Sequence, residues 1–437
     1  MKKTILSLVT ISAIATTGVL ADSATDIAEL KAMMMEMNKR LAKLETENKQ
    51  LKAQVAKKKK VTHTASKKKT TAHKKHYALT PEKKDRVEAL EAKVEKLEKQ
   101  TPVFAKTSKL KFSGKHYLGF VHGEKTDAAG VSDTYNKFET RRNYLQVKGY
   151  FFDDPKSYMR LTLDTAHVDS GEWEVRLKYA YLYLNDVLPY TGVEFGQAHR
   201  PWIDYEEHHG WLYRSIAKTF VERGHDADFT NSSDIGINFK TNTEYFSSEL
   251  GIFNGEGYHG NIDGDGLSYE WRLTANLLGT GKEHVHKSDR YADISFYGQD
   301  NTSDPKHGEL LADGTRGDFV WYGFNAVYNQ PEFLIAANYL KSTTADDKFK
   351  GDGWSINGEL RLLTFDPTLS KWNLIARYDD WSLDSGTENT SVIAGVAYKW
   401  NKNVEFILNY DDYQSEDATG ALTEEDERVL FTAEVNW

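Results

Sequence analysis

The segment 199–232 carries the densest mixture of side chains that could do chemistry. It combines aromatic residues such as Trp202 and Trp211 with charges of both signs, a composition too apolar for a solvated loop. Connections of this length are usually either functional or disordered, and the aromatic content favours an ordered one. Charges of both signs at a narrow place attract, hold or exclude ions. The charged candidates are Arg200, Asp204, Glu206, Glu207, Arg214, Lys218, Glu222 and Arg223.

Other reactive patterns in the sequence are weak. The chain has no cysteine, which excludes disulfides and thiolate metal sites. The run "DGDG" at 263–266 resembles part of a calcium loop but lacks the downstream glutamate ligand. The adjacent residues Glu206 to His209 are weak evidence for a metal site. No Gly-x-Ser-x-Gly, phosphate-loop or His-Glu-x-x-His motif occurs, so the sequence predicts no enzyme, no catalytic residue, no metal and no cofactor.

The start of the chain predicts export. Residues 1–21 combine the basic "MKK" with an apolar stretch and end in a small-residue cleavage site at Ala21, which is typical of a signal peptide. Mean hydropathy is −0.62, and beyond the leader no apolar run approaches the ~18 residues of a spanning helix. A helical membrane protein is therefore excluded, but a barrel is not, because its strands need apolar residues on one face only.

Residues 22–101 are expected to form a stalk in three parts. Residues 22–56 carry a heptad seam, which predicts a self-associating coiled coil in which Asn48 fixes the register. The lysine-rich linker 57–79 has no periodicity and is expected to be disordered; it is either a basic tether towards peptidoglycan or lipid head groups, or a solvated spacer. Residues 80–101 start with a helix cap at Thr80 and continue an apolar seam as a second coiled-coil helix. The first seam comprises Ile27, Leu30, Met34, Met37, Leu41, Leu44, Asn48, Leu51 and Val55.

The net charge changes from positive to negative where this stalk ends. Residues 1–104 hold 23 of the 56 Lys and Arg and 12 of the 65 Asp and Glu. The remainder, 105–437, therefore has 33 basic and 53 acidic residues and a net charge of −20. This acidic balance argues against nucleic acid as a partner.

Residues 105–437 are predicted to form an all-β transmembrane barrel of about sixteen antiparallel strands. In "VLFTAEVNW", Val429 to Trp437, apolar and polar residues alternate with period two, as in a strand between two different solvents. Such segments recur along the chain, and an even number is typical of bacterial outer-membrane barrels. The predicted strands are 109–122, 138–152, 156–167, 173–186, 191–199, 233–241, 244–254, 267–279, 290–300, 316–329, 332–342, 352–365, 371–383, 389–400, 403–415 and 426–437.

The connections and faces of these strands suggest an orientation. Several connections are tight, such as 401–403, while others are long and polar, such as 300–315; we expect short turns at the periplasmic end and long loops outside. Aromatic residues near strand ends are expected to form interfacial girdles. Alternation places a second set of charges in the lumen, where they either form a basic ladder or are ordinary polar residues of that face. The girdle set is Tyr183, Tyr328, Trp400 and Trp437, and the lumen set is Arg142, Lys148, Arg160, Asp164, Arg176 and Lys178.

The stretch from Phe138 to Gly224 resembles the phosphate-selective porin O and P family. The resemblance covers the first third of the barrel well and the remainder only as a pattern. It implies a sixteen-stranded trimeric porin whose third loop folds inward and narrows the channel, with inward Arg and Lys contacting anions. The matching positions are Arg141, Arg142, Gly149, Asp164, Ala180, Tyr181, Gly196, Gln197, Pro201 and Arg223.

These observations predict an outer-membrane channel for passive diffusion of small hydrophilic solutes and ions, with phosphate-like anions as candidates. The alternative is a structural anchor that links the outer membrane to the cell wall through a periplasmic stalk. Expected partners are two further copies of the chain in a homotrimer, outer-membrane lipid and lipopolysaccharide. Segment 199–232 either constricts the lumen or caps the barrel from outside. Its four basic and four acidic candidates balance, which favours a weakly selective pore without a high-affinity phosphate site.

Overall fold

The computed structural model describes residues 109–150, 154–167, 171–258, 260, 266–282 and 284–437. The predicted signal peptide, both coiled-coil helices and the basic linker lie outside the described residues. Within those residues, no helix is long and apolar enough to cross a membrane.

Sixteen strands form one closed antiparallel barrel. Each strand pairs with its neighbours in sequence, and the first strand pairs with the last to close the ring. All sixteen predicted strands are present, with ends that differ by a few residues in most cases. The strands are β1 (Leu110–Asp127), β2 (Ser132–Gly149), β3 (Tyr158–His167), β4 (Trp173–Leu188), β5 (Thr191–His199), β6 (Ser233–Asn242), β7 (Phe246–Phe253), β8 (Ser268–Asn276), β9 (Tyr291–Asn301), β10 (Phe319–Gln330), β11 (Phe333–Thr344), β12 (Gly351–Arg361), β13 (Trp372–Leu383), β14 (Glu388–Lys399), β15 (Val404–Glu416) and β16 (Leu422–Asn436).

Alternation along the strands separates an apolar exterior from a polar interior. On β8, Glu270 and Arg272 are buried inside the barrel while Tyr269 and Leu273 are exposed outside it, as the sequence predicted. The same pattern on the other strands leaves many large apolar side chains on the outer surface. Because the barrel is closed, every strand has a hydrogen-bonded neighbour on both sides, and the backbone donors and acceptors are paired. The apolar exterior suits contact with lipid.

Two β-bulges change which side chains enter the lumen. One lies between β1 and β2 at Arg141, and the other lies between β3 and β4 at Lys178. A bulge inserts one extra residue and resets the alternation, so Arg141 and Arg142 both point inward, as do Lys178 and Tyr179. Alternation alone had predicted an inward direction for Arg142 and Lys178.

The β4 bulge explains two positions of the family resemblance. Gly196 on β5 has a φ of +122°, and a Cβ there would lie 2.4 Å from the Ala180 carbonyl oxygen. Only glycine tolerates both the conformation and the close approach. The neighbouring Gln197 donates from Nε2 to the carbonyl oxygens of Leu177 and Lys178, at 2.7 and 3.2 Å. It thereby satisfies backbone acceptors that the bulge removes from the ladder.

The connections follow the expected division only in part. At the end that carries Leu110 and Trp437, the connections 243–245, 331–332 and 400–403 are short, as predicted, but 277–290 is long. At the other end, 302–318 is long, whereas 128–131 is tight. The 128–131 connection is tight because β1 and β2 are 18 residues each and continue their pairing through polar residues that were expected to form a loop.

The aromatic girdle is also corrected at one position. Trp400 and Trp437 are more than half exposed on the outer surface, and Trp437 stacks on His116 and donates from Nε1 to its Nε2 at 3.0 Å. Tyr328 also faces outward, beside Phe333. Tyr183 instead faces the lumen, because the β4 bulge shifts its alternation and packs it against Tyr158, with ring centroids 5.1 Å apart.

Candidate functional site

The segment 200–232 lies inside the barrel and begins with a short helix, α1 (Ile203–His209). Its aromatic residues explain the position, because each is at most 8% exposed. Trp202 stacks on Tyr297 of β9 with ring centroids 3.5 Å apart and ring planes within 4°. Burying such a side chain contributes about 1.5–3 kcal/mol. The buried aromatic residues are Trp202, Tyr205, Trp211, Tyr213 and Phe220.

A second apolar contact holds the middle of the segment. Trp211 and Ile216 pack in one cluster with Ile375, Ile393 and Ile407, the inward isoleucines of β13, β14 and β15. Inward apolar residues are unusual in a water-filled lumen, and here they receive the loop. Hereafter the segment 200–232 is called the inner loop.

Ion pairs fix both ends of the inner loop. At its start, Arg200 lies 2.8 Å from Glu270 and 3.4 Å from Asp234. All three side chains are at most 5% exposed. Because water does not screen these charges, removing one partner would leave an uncompensated buried charge.

The second anchor is a network of alternating charges. Arg223 lies 2.8 Å from Asp411 on β15 and 3.3 Å from Asp379 on β13. Arg377 lies 2.8 Å from Asp379, and Arg428 lies 2.7 Å from Asp411. The inner loop therefore supplies one member of a charge network whose other members lie on β13, β15 and β16.

A further buried pair shapes the loop internally. Arg214 lies 2.8 Å from Glu207 and also contacts Glu222. Burial acts to raise the pKa of Glu222, but the charge and hydrogen bond of Arg214 together with the charges of Lys218 and Lys178 outweigh it and hold this pKa at about 2. Glu222 is therefore ionised at neutral pH, and the Arg214 charge is compensated within the loop.

These anchors leave open space on the opposite side of the lumen. A cavity of about 550 Å³, here called the eyelet, lies between the inner loop and the wall from β1 to β6. The wall contributes five cations and the Glu194 carboxylate to it, and the inner loop contributes two carboxylates, so the wall side is net positive and the loop side is negative. Its charged lining is Lys115, Arg142, Lys148, Arg160, Glu194, Asp204, Glu207 and Lys240.

The eight loop residues proposed from the sequence lie in different environments. Arg214 is buried within the loop between Glu207 and Glu222. Asp204 and Glu207 line the eyelet. Lys218 is 58% exposed. Together with Arg200 and Glu222 it lines a second cavity of about 470 Å³, which also contacts the connection 302–318. Arg223 points into the β13–β15 wall. Glu206 also faces the wall, where it accepts hydrogen bonds from Trp202 and Asn338.

The six strand residues that were predicted to face the lumen also lie in different environments. Arg142, Lys148 and Arg160 line the eyelet. Lys178 is 1% exposed, and its ammonium lies 3.4 Å from the centre of the Tyr258 ring. Asp164 accepts hydrogen bonds from the backbone of Asn143 and Thr165, and Arg176 pairs with Glu174 at 3.2 Å.

Three features of the site were not predicted from the sequence. Tyrosines line the eyelet beside its cations; the period-two spacing of Tyr179, Tyr181 and Tyr183 is the signal that could have found them. Lys240 joins the eyelet from β6. The connection 277–290 approaches the inner loop from the opposite end, where Lys287 Nζ donates to Tyr213 Oη at 3.3 Å. Nothing in its sequence predicted this contact.

A closed sixteen-stranded barrel with an apolar exterior, a charged lumen and a loop folded into that lumen is an outer-membrane porin, a channel for passive diffusion. The sequence model described as "Phosphate-selective porin O and P" matches residues 115–434, and the chain belongs to this family. The resemblance noted in the sequence is thereby confirmed.

Solved porins share the fold at low sequence identity. An anion-selective porin from Comamonas acidovorans has a TM-score of 0.53 at 10% identity over 75% of this chain and 99% of that chain. The trimer form of OmpT from Vibrio cholerae has a TM-score of 0.50 at 14% identity, with the same coverage of both chains. OmpF from Salmonella typhi, in complex with daunomycin, has a TM-score of 0.50 at 14% identity over 74% and 97%. Comparison with curated protein sequences gives no match.

Removing the Arg223 charge should loosen the inner loop. In Arg223→Gln, Asp379 and Asp411 each lose one buried partner but keep Arg377 and Arg428, so we expect a cost on the order of 2 kcal/mol, that of a lost hydrogen bond to a charged group. Single-channel recordings should show a larger mean conductance and more open-channel noise, while the barrel stays folded. Lys341→Gln is the matched control, because Lys341 lies beside Asp352 on the outer surface and its loss should leave both quantities unchanged. Unaltered conductance and noise in Arg223→Gln would contradict the anchoring role.

Loop docking should also depend on pH through Glu206. Burial raises the pKa of Glu206 to about 7, although the Arg377 charge and the Trp202 hydrogen bond act in the opposite direction. Because the docked loop favours the protonated form, docking is strongest near pH 4.5 and weakens as the pH rises towards 7. Open-channel noise should therefore increase between pH 5 and pH 8.

Glu206→Gln should reduce this increase, since its neutral amide does not titrate. Asp417→Asn is the control, because that side chain lies in the outer connection 417–421 and its variant should keep the wild-type pH dependence of noise. A Glu206→Gln channel whose noise still rises with pH as in the wild type would show that another group controls docking.

Proposed function

We propose that the pore conducts small hydrophilic solutes with a weak preference for anions. One observation carries this proposal: among the described residues, no carboxylate lies within 4.0 Å of Arg142, Lys148 or Arg160. The carboxylates that line the eyelet are mostly paired, since Glu207 lies 2.8 Å from Arg214 and Glu194 lies 3.5 Å from Lys240. The eyelet therefore offers more free positive than negative charge.

The acidic balance of the whole barrel has little weight at the eyelet. Many of its carboxylates lie on the outer surface or in the outer connections, such as Asp417 in 417–421. Charges separated from the eyelet by more than about 8 Å are largely screened at physiological salt. Selectivity follows the charges at the constriction. The structurally similar porin from Comamonas acidovorans is described as anion-selective, which supports this preference.

Reversal potentials in KCl gradients across planar bilayers should show a modest preference for chloride. Replacing Arg142, Lys148 and Arg160 by Gln together should abolish that preference, because the three unpaired cations are then gone and the remaining charges of the eyelet nearly balance. Lys341→Gln, which removes one charge beside Asp352 on the outer surface, should change nothing. Cation selectivity in the wild type, or block of chloride current by micromolar phosphate, would refute the proposal.

We further propose that the chain forms a homotrimer and that residues 22–101 act as a periplasmic stalk. The heptad seam supports self-association. So does the outer surface of β1–β3, where His116 and Asn143 bond at 3.1 Å and Asn143 and Thr165 bond at 2.8 Å. Polar side chains are costly against lipid, so a protein partner suits this surface better. Nearby Phe138 is 87% exposed.

The structural alternative assigns the barrel the role of an anchor. It rests on the basic linker 57–79, which suits anionic cell-wall polymer or lipid head groups. The two roles are compatible, because the linker and the eyelet involve different parts of the chain.

Deleting residues 22–104 while keeping the signal peptide separates these roles. Unboiled electrophoresis should show an SDS-resistant trimer for the full chain and a weaker trimer for the deletion, because the heptad contacts are lost while the barrel contacts remain. Bilayer conductance should persist in the deletion. Blebbing cells with intact conductance would support the tethering role. Migration of the unboiled full-length protein at monomer mass would contradict the trimer.

A further inference from the structure

Cations form an unusual row at the end of the eyelet nearest Lys109 and Trp437. Lys111 of β1 pairs directly with Lys148 of β2, and Lys148 pairs directly with Arg160 of β3. Like charges at directly opposed positions of a sheet destabilise it. All three side chains share the inward face of their strands, and among the described residues none has a carboxylate within 4.0 Å. The row is therefore a site of positive charge that the barrel itself does not compensate.

A row of aromatic rings runs beside the cations. Tyr158 of β3 pairs directly with Tyr183 of β4, and their ring centroids lie 5.1 Å apart. Tyr150 continues this row on the other side, with its ring centroid 5.6 Å from that of Tyr158. All three rings are half-buried, so part of each remains accessible. Tyr158 and Arg160 are two residues apart on one strand, which separates the two rows by about 6–7 Å.

The two rows are in direct contact at their centre. The Lys148 ammonium lies 4.2 Å from the centre of the Tyr158 ring, and it donates no hydrogen bond to any of the described residues. Arg160 is held more firmly, since it donates to Tyr181 Oη at 3.3 Å and to Thr162 Oγ1 at 3.1 Å. Lys148 thus keeps free donors at the junction of the charged and aromatic surfaces.

We propose that this surface binds organic anions that carry an aromatic ring, namely aryl carboxylates. The carboxylate contacts Lys148 and Arg160 while the ring stacks on Tyr158 and Tyr183. Lys111 and Tyr150 extend the two rows towards the barrel end. The proposal rests on the proposed anion preference and narrows it to a solute class.

Inorganic phosphate fits this surface less well. A phosphate ion is bound best by several hydrogen-bond donors that converge on one point. Here the cations are spread across three strands at about 4.8 Å intervals, the spacing of neighbouring strands. The tyrosine faces contribute nothing to an inorganic anion, whereas ring stacking adds attraction for an aromatic one.

Current block in planar bilayers tests this with four matched probes and the full-length protein. The probes are 3-phenylpropionate, propionate, 3-phenylpropanol and inorganic phosphate. We expect 3-phenylpropionate to reduce KCl current at a concentration about tenfold lower than propionate does, the factor that 1.4 kcal/mol of stacking provides. The neutral alcohol should have no effect at that concentration. Equal potency of 3-phenylpropionate and propionate, or greater potency of phosphate, would overturn the proposal.

Variants distinguish the rings from the charges. Tyr158→Leu/Tyr183→Leu should abolish the tenfold difference between the two carboxylates. Tyr158→Phe/Tyr183→Phe should keep the difference, because the ring faces remain; its loss there would contradict the stacking. Tyr183→Leu alone keeps the more central Tyr158 and should reduce the difference about threefold, roughly half the stacking free energy.

These measurements separate this site from the general anion preference. A cation-selective KCl reversal potential would refute the anion preference, while the potency ratio of the two carboxylates would still report on the rings. A chloride-selective pore that does not distinguish 3-phenylpropionate from propionate would refute the aryl carboxylate site alone.

Discussion

The geometry of the channel depends on buried ion pairs between the inner loop and the barrel wall. A loop of this length could adopt many positions in a water-filled lumen, and its aromatic residues would contact any apolar surface. The charges remove that freedom, because Arg200 and Arg223 each have partners at one place on the wall. A mispositioned loop would leave buried carboxylates without cations, a cost of several kcal/mol. The anchors thus decide on which side of the lumen the solutes pass.

The fold was largely predictable because lipid imposes a simple pattern. An outward residue must be apolar and the next must face water, so period two identifies the strands even in a polar chain. The prediction failed where that constraint is absent. The outer parts of β1 and β2, such as Ser132–Lys137, extend through residues that are polar on both faces, and no alternation marks them as strands. The bulges at Arg141 and Lys178 also escaped, since a single extra residue leaves no compositional trace.

The candidate site was predictable as a set of residues but not as an arrangement. The inner loop was recognisable from its length and its aromatic content. The direction of each side chain depends on how α1 lies against the wall: Glu206 and Glu207 are neighbours, yet one contacts Asn338 and the other lines the eyelet. Similarly, the turn 277–290 reaches Tyr213 through Lys287, a contact between segments distant in sequence. Such facts follow from packing, which one sequence does not encode in any local pattern.

The separation between anchoring strands and eyelet strands has a functional consequence. The charges that hold the second half of the inner loop lie on β13 and β15, whereas the eyelet cations Arg142, Lys148 and Arg160 lie on β2 and β3. Substitutions of Arg142, Lys148 or Arg160 would therefore change the charge of the eyelet while leaving the Arg223 ion pairs on β13 and β15 in place. The charge of the opening and the position of the loop's second half are thus separable traits, because different strands carry them.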